Sequence, residues 1–349
     1  MTRSPLFTLA VLTGQQNVRS PYIRALLRTA QVQGIKAYPL TPSQLFLSSN
    51  EESSLHVVYN RIPTRKAEAS LEVRRAKQWL QQRGIPLFNQ RFFNKREVDR
   101  VLRKDEEIRK ILPATMSDWD TARALSWLEE YGGLFVKPIG GSFGEGICRT
   151  RKVNGSFQLE VRDPGGVHKL SFVRPEECLH ACFTRMGNTP FIVQEAISLA
   201  RYDGCPTDFR VHIHRVAKGH WKVAGIGAKI AHPEGITTHV HSGGRVEDAD
   251  VVLRSWYGRQ ANHVREEIEH LAQRVSQKLS NALDPRLGEL GLDIGIALDG
   301  RVVLFEANAK PGRSIFSHPA LRSAGLWSRQ AILQYAEWLA MQNVSVGVL

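Results

Sequence analysis

The sequence GLDIGIALDGRVVLFEAN, residues 291–308, reads as a β-hairpin with chemistry on one face. Asp299-Gly300 is a dipeptide that favours a type I′ turn. A two-residue turn there pairs Leu298 with Arg301, Asp293 with Glu306 and Gly291 with Asn308. Paired residues share a face, their Cβ atoms about 5 Å apart. One face is then Leu292, Ile294, Ile296, Leu298, Val303, Phe305 and Ala307, a core surface broken only by Arg301. The other holds Asp293, Glu306 and Asn308 among the small residues Gly291, Gly295 and Ala297. Carboxylates placed opposite one another repel unless a cation lies between them. Two carboxylates and an amide oxygen suit a hard cation such as Mg²⁺. The competing reading is a solvated sheet face that tolerates both acids.

A second chemical segment lies upstream. Lys137 ends an apolar strand and is followed by Pro138 and Ile139-Gly140-Gly141-Ser142-Phe143-Gly144-Glu145-Gly146. Such glycine density lets backbone N–H groups approach phosphate oxygens, and a neighbouring lysine adds a point charge. The segment lacks the G-K-[ST] of a Walker A loop. A protein kinase is excluded by order, because Lys137 precedes the glycines and no H-R-D or D-F-G follows. Lys95 opens a basic helix after Phe92-Phe93-Asn94. Gln194-Glu195-Ala196-Ile197 falls where a hinge between lobes offers backbone and polar groups to an adenine. Along residues 208–216, alternation puts Asp208, Arg210, His212 and His214 on one face. Arg210 suits bidentate anion binding. His212 and His214, echoed by His239 and His241, raise a zinc site as an alternative to a half-exposed strand.

Around these segments the chain divides into three zones. Residues 1–90 alternate strands (6–14, 56–62) with helices (21–33, 68–83), the pattern of a small parallel α/β unit. Residues 91–197 carry helices near 95–110 and 118–131, then strands at 134–138, 147–153, 156–162 and 191–197, with Asn154-Gly155 as a hairpin turn. Residues 198–349 hold strands at 208–216 and 221–231 and a long helix with Val264, Ile268, Leu271, Val275 and Leu279 in one apolar stripe. The hairpin and a helix near 326–341 follow. The antiparallel content of the later zones predicts α+β lobes.

The 349 residues are 42% hydrophobic and 23% charged, with a net charge of +13. No stretch is apolar over the roughly 18 residues of a membrane helix, and no signal peptide is evident, so a soluble cytoplasmic protein is expected. Cys148, Cys178, Cys182 and Cys205 form no C-x-x-C pair and read as buried free thiols. Residues 61–110 hold 15 Lys/Arg against 7 Asp/Glu. Their alternating signs suggest solvated helix faces; an acidic partner is the alternative. Nucleic-acid binding is disfavoured, because no RRM, KH or zinc-finger signature is present.

In order, FNKREV, LPAT, FVKP, GGSFGEGI, VQEAI, DFRV and LGLD…FEANAKPGR resemble the ATP-grasp superfamily. With YNRIPTR (residues 59–65) ahead of them, they resemble most closely its YheC/YheD branch, described as endospore coat-associated, over roughly residues 56–340. The resemblance implies two α+β lobes gripping ATP, preceded by a small α/β domain, with boundaries at 90 and 197. It implies Lys95 and Lys137 on the ATP phosphates, and Gly140, Gly141, Ser142, Phe143, Gly144 and Gly146 in a loop that closes over the triphosphate. Gln194, Glu195 and Ile197 match the adenine hinge. Asp293, Glu306 and Asn308 match the metal triad for Mg²⁺, two ions in the usual case, with Mn²⁺ as a substitute. Arg210 and Arg313 match positions near the γ-phosphate and an acyl phosphate. Lys229 stands where an arginine is expected, on the catalytic side, and His239 where an asparagine is expected. The implied activity is ligation of a carboxylate to an amine through an acyl phosphate, forming a C–N bond, on small-molecule or peptide substrates of acidic character. A non-catalytic ATP-binding or spore-coat structural protein is the alternative.

Overall fold

The computed structural model describes residues 7–47, 55–141, 146–163, 166–233, 235–238 and 243–346. Ser142, Phe143, Gly144, His239 and His241 therefore lie outside the described residues. Three sheets form the framework. The first is parallel, in the order β2-β1-β3-β4, from β1 (Thr8–Leu12), β2 (Lys36–Leu40), β3 (Val57–Asn60) and β4 (Leu87–Phe88). Its continuous apolar runs are buried on both faces, as parallel sheets require. Helices Pro42–Leu47 and Leu71–Gln82 cover one face. Helix Pro21–Val32 and the distant C-terminal helix Arg322–Val346 cover the other. Edge strand β2 escaped the sequence reading because it is short, half-exposed and contains Pro39.

The second sheet is antiparallel: β5 (Thr115–Met116), β6 (Gly133–Pro138), β7 (Cys148–Val153), β8 (Ser156–Asp163), β9 (Gly166–Phe172) and β10 (Phe191–Glu195), in the order β5-β10-β6-β7-β8-β9. Helices Thr121–Tyr131 and Pro175–Met186 pack on one side of it. Cys178 and Cys182 share the buried face of the latter helix, and all four cysteines are free and buried.

The third sheet joins β11 (Arg201–Tyr202), β12 (Cys205–Arg215), β13 (Trp221–Ile230), β14 (Arg245–Asp248), β15 (Glu289–Ile296) and β16 (Val302–Asn308). Phe209, Val211 and Ile213 of β12 and Leu290, Leu292, Ile294 and Ile296 of β15 pack on helix Ala261–Leu283 through Ile268, Val275 and Leu279. The expected helix over 95–110 is broken. Asp105 caps a new helix, Glu106–Lys110, by accepting from the Glu107 and Ile108 amides at 3.2 Å. Leu102, Ile108 and Leu112 pack into this third core.

The 291–308 hairpin has the expected register at its chemical end and another at its turn. Asp293 pairs with Glu306 and Gly291 with Asn308. Near the tip, Ile294 pairs with Leu304 and Ile296 with Val302. Ala297 N–H donates to Arg301 O at 2.9 Å, so Leu298, Asp299 and Gly300 form a three-residue turn, with Gly300 at φ +84°. A bulge then restores the register. The expected core face is corrected accordingly: Leu298 is 68% exposed, Phe305 faces the opposite side, and Leu304 takes the core position.

Tyr335 of the C-terminal helix joins the first and last parts of the chain. It is fully buried, meets Phe88 edge-on and stacks on Trp338. Tyr335→Ala is expected to lower unfolding stability by about 3–5 kcal/mol, measured by urea denaturation.

Candidate functional site

Backbone pairing aims the site's side chains from three directions. The segment after β10 crosses from the second sheet to the third: Ala196 N–H donates to Gly133 O at 3.0 Å, and Leu298 N–H donates to Ser198 O at 2.9 Å. A cavity of about 440 Å³ opens between the two sheets. Its walls include Lys95, Lys137, Gly141, Glu195, Ile197, Lys229, Asp293 and Glu306.

Lys95 sits at the start of helix Lys95–Leu102, fixed by a reciprocal cap between Asn94 and Glu97. Its ammonium donates to Glu306 Oε1 at 2.8 Å and to Gly141 O at 3.1 Å, tying the glycine segment to the hairpin. Lys137 donates to Gln194 Oε1 at 2.8 Å. Burial, with Lys95 nearby, pulls the Lys137 ammonium down to about 8. Gln194 is thereby directed at Lys137 and Thr115, off the cavity wall. Glu195 accepts from Ala114 N–H at 3.0 Å.

Asp293 is held by two cations. Arg210, directly opposite on β12, donates from Nε to Oδ1 at 2.7 Å and from Nη2 to Oδ2 at 2.9 Å. Lys229 Nζ reaches Oδ1 at 2.8 Å and Asp208 Oδ1 at 3.1 Å. Burial works against both cations, but the facing carboxylates outweigh it and leave Arg210 and Lys229 above their ordinary values. The repulsion between the paired acids is thus met by the protein's own charges. The donor set of Asp293, Glu306 and the Asn308 amide is all oxygen, which fits a hard divalent cation. Among the described residues no group of three His, Cys, Asp or Glu is arranged to hold a metal.

Arg313 is not brought to the cavity. Its guanidinium ion-pairs with Glu289, donates to Tyr59 Oη at 3.3 Å and Ser328 Oγ at 2.7 Å, and lies 3.9 Å from the Tyr22 ring centroid. Arg61 completes this buried cluster at 3.1 Å from Glu289. Arg313 and Lys310, at the two ends of the turn after β16, instead clamp the first zone to the third; Lys310 pairs with Glu68. Among the described residues the histidines form no zinc site. His212 Nε2 meets Gly312 O at 2.9 Å, and His214 Nε2 meets Ser328 Oγ at 2.9 Å. Both rings are fully buried, not half-exposed, because Phe316 and the C-terminal helix cover them.

Among the described residues, six of the 15 cations in 61–110 are held in ion pairs: Arg61–Glu289, Lys77–Glu68, Arg91–Glu97, Lys95–Glu306, Arg103–Asp99 and Lys110–Glu107. Sequence reasoning missed Asp208 and Thr238 as site residues, and Arg149, Arg151 and Arg201 as cavity wall. Asp208 carried a usable signal, since it shares a strand face with Arg210. The cations of β7 did not, since only the sheet order places them at the cavity.

The arrangement, an antiparallel sheet facing a second sheet across a cavity, with a small parallel domain in front, is the ATP-grasp architecture. Two solved structures are similar over nearly their whole length. The ATP-grasp ligase PsnB, complexed with a minimal precursor, aligns with a TM-score of 0.56 at 15% identity, over 94% of this chain and 99% of that one. D-alanine–D-alanine ligase from Bacillus anthracis, complexed with ATP, aligns with a TM-score of 0.57 at 12% identity, over 99% and 100%. The chain belongs to the YheC/D-like ATP-grasp family, whose profile matches residues 84–339. Endospore coat-associated protein YheD of Bacillus subtilis (strain 168) is 31% identical over 298 residues, which is 83% of this chain. The chain spans 64% of the length of YheD. No helix of the described residues is long and apolar enough to cross a membrane.

Burial drives both β12 histidines to the neutral form, His212 well below its ordinary value and His214 down to about 3. The unfolded chain protonates both near pH 6.5. Their contribution to stability is therefore complete above that pH and declines as pH falls toward 3. Denaturation at stepped pH is expected to show up to about 1.4 kcal/mol lost per pH unit for each histidine below 6.5.

Proposed function

We propose that this protein is an ATP-dependent ligase that phosphorylates a carboxylate and passes the acyl group to an amine, forming a C–N bond with release of ADP and phosphate. The observation that carries the reading is the convergence of Lys95, Lys137, Asp293 and Glu306, from three parts of the chain, on one cavity. Lys95 and Lys137 are the groups to bind the phosphates, with the Gly140–Gly141 backbone alongside. The segment 195–197 is the adenine side. Asp293, Glu306 and Asn308 are the ligands of Mg²⁺, or of Mn²⁺ in its place, and the metal supplies charge neutralisation for the phosphate oxygens. Arg210 orients Asp293. Catalysis is mainly positioning and charge stabilisation. Described cations on the wall (Lys95, Lys137, Arg149, Arg151, Lys152, Arg201, Lys229) outnumber acids (Glu195, Asp208, Asp293, Glu306), which supports anionic contents. The carboxylate substrate is accordingly taken to be a small acid or an acidic peptide. A precursor peptide bound by PsnB supports the peptide form.

Asp293→Asn and Glu306→Gln are each expected to abolish ATP-dependent phosphate release in a screen of amino acids, peptides and cell extract, with the fold retained by circular dichroism. Unchanged release in either variant refutes the metal assignment. The hold of Arg210 and Lys229 on Asp293 favours a second reading, a non-catalytic protein of the spore coat. A thermal shift with millimolar Mg-ATP separates the two, since a ligand binding only the folded chain raises the melting temperature; no shift favours the structural protein.

Lys137 gives a pH signature. Its free-protein value of about 8 rises when phosphate oxygens approach, so nucleotide binding draws a proton above that pH. Affinity for ATP is expected to fall as pH rises through 8. Calorimetry in buffers of different ionisation enthalpy is expected to show proton uptake that Lys137→Met removes.

A further inference from the structure

Asp208 is given no role by the reading above, yet it stands at the centre of the wall that carries Lys229. β12 lies between β13 and β15, placing Asp208 opposite Lys229 on one side and Gly295 on the other. Lys229 spans β12 diagonally and touches both acids, Asp208 at 3.1 Å and Asp293 at 2.8 Å. Its side chain is only 4% exposed. Thr238 donates its hydroxyl to the other Asp208 oxygen at 2.6 Å, fixing the carboxylate's orientation.

We propose that Asp208 is a positioning residue that retains Lys229 on the cavity wall when a divalent cation takes Asp293. This rests on the reading of Asp293 as a metal ligand. Arg210 grips both oxygens of Asp293, whereas Lys229 shares only Oδ1, so Lys229 is the cation that a metal displaces. A buried ammonium moved off its only carboxylate carries the full desolvation penalty. With Asp208 in place, Lys229 keeps a counter-charge throughout the exchange and stays at the cavity, its ammonium released for an anionic oxygen. Without Asp208, Lys229 has Asp293 alone and competes with the metal for it. Asp208 thereby sets the affinity for the divalent cation without ligating it.

The test is Mn²⁺ binding to the full chain in the presence of a non-hydrolysable ATP analogue, read by the electron paramagnetic resonance of free Mn²⁺. Asp208→Asn is expected to weaken Mn²⁺ binding about tenfold, equivalent to about 1.4 kcal/mol. In a Lys229→Met background the same substitution is expected to have no effect, because the competing ammonium is gone. Unchanged affinity in the single variant overturns the proposal. Equal weakening with and without Lys229 also overturns it, by making Asp208 a ligand or a structural residue. Thr238→Val keeps both carboxylates and serves if Asp208→Asn does not fold: a weakening confined to the Lys229 background supports the proposal, and unchanged affinity overturns it. Wild-type chain that takes up no Mn²⁺ overturns the metal reading itself, which is distinct from a wild type that binds with a silent Asp208→Asn.

Discussion

Pairing two carboxylates across a hairpin, Asp293 against Glu306, is a constraint that the surrounding structure answers group by group. Each acid is neutralised from a different element. Glu306 takes Lys95 from a capped helix N-terminus, and Asp293 takes Arg210 from the adjoining strand β12 and Lys229 from β13 beyond it. Those pairs hold the glycine segment, the helix and the third sheet at fixed distances from one another. Buried ion pairs of this kind give little net stability. What they give here is position: a row of charges on one wall, set before any ligand arrives.

The same economy governs the loop after β16. Residues 309–313 leave the hairpin and end among Glu68, Tyr59 and Glu289, so the strand that bears Glu306 is anchored to the small parallel domain through Lys310 and Arg313. Asn89 adds to the joint by donating from its side chain to Glu289 O at 3.0 Å and by accepting from Gly288 N–H at 2.8 Å. The cavity is therefore shaped by contacts some residues away from it, on the far side of the third sheet's edge. Arg313 serves the site by fixing this loop, although it does not line the cavity.

Much of this was legible in the sequence, for identifiable reasons. Asp293, Glu306 and Asn308 could be placed on one face because strand periodicity is 2 and the Asp-Gly turn marks its own centre. That derivation reached the right pairing through two offsetting differences, a longer turn and a bulge, neither of which leaves a mark on the hydrophobic pattern. Lys95, Lys137 and the hinge stood out by their neighbours. Arg313, His212 and His214 did not find their places that way, because their surroundings come from residues a hundred or more positions distant or from the chain's last helix. Periodicity reports one element's own faces and is silent on which distant element covers them.

The C-terminal helix closes one face of the first sheet, with Ile332, Leu333, Ala336 and Leu339 against Leu9, Val11 and Val57. During synthesis on the ribosome, those strands emerge some three hundred residues before the helix that seals them. The nascent domain must keep an oily surface waiting through translation of both lobes. Completion of that sheet's core therefore waits on the tail.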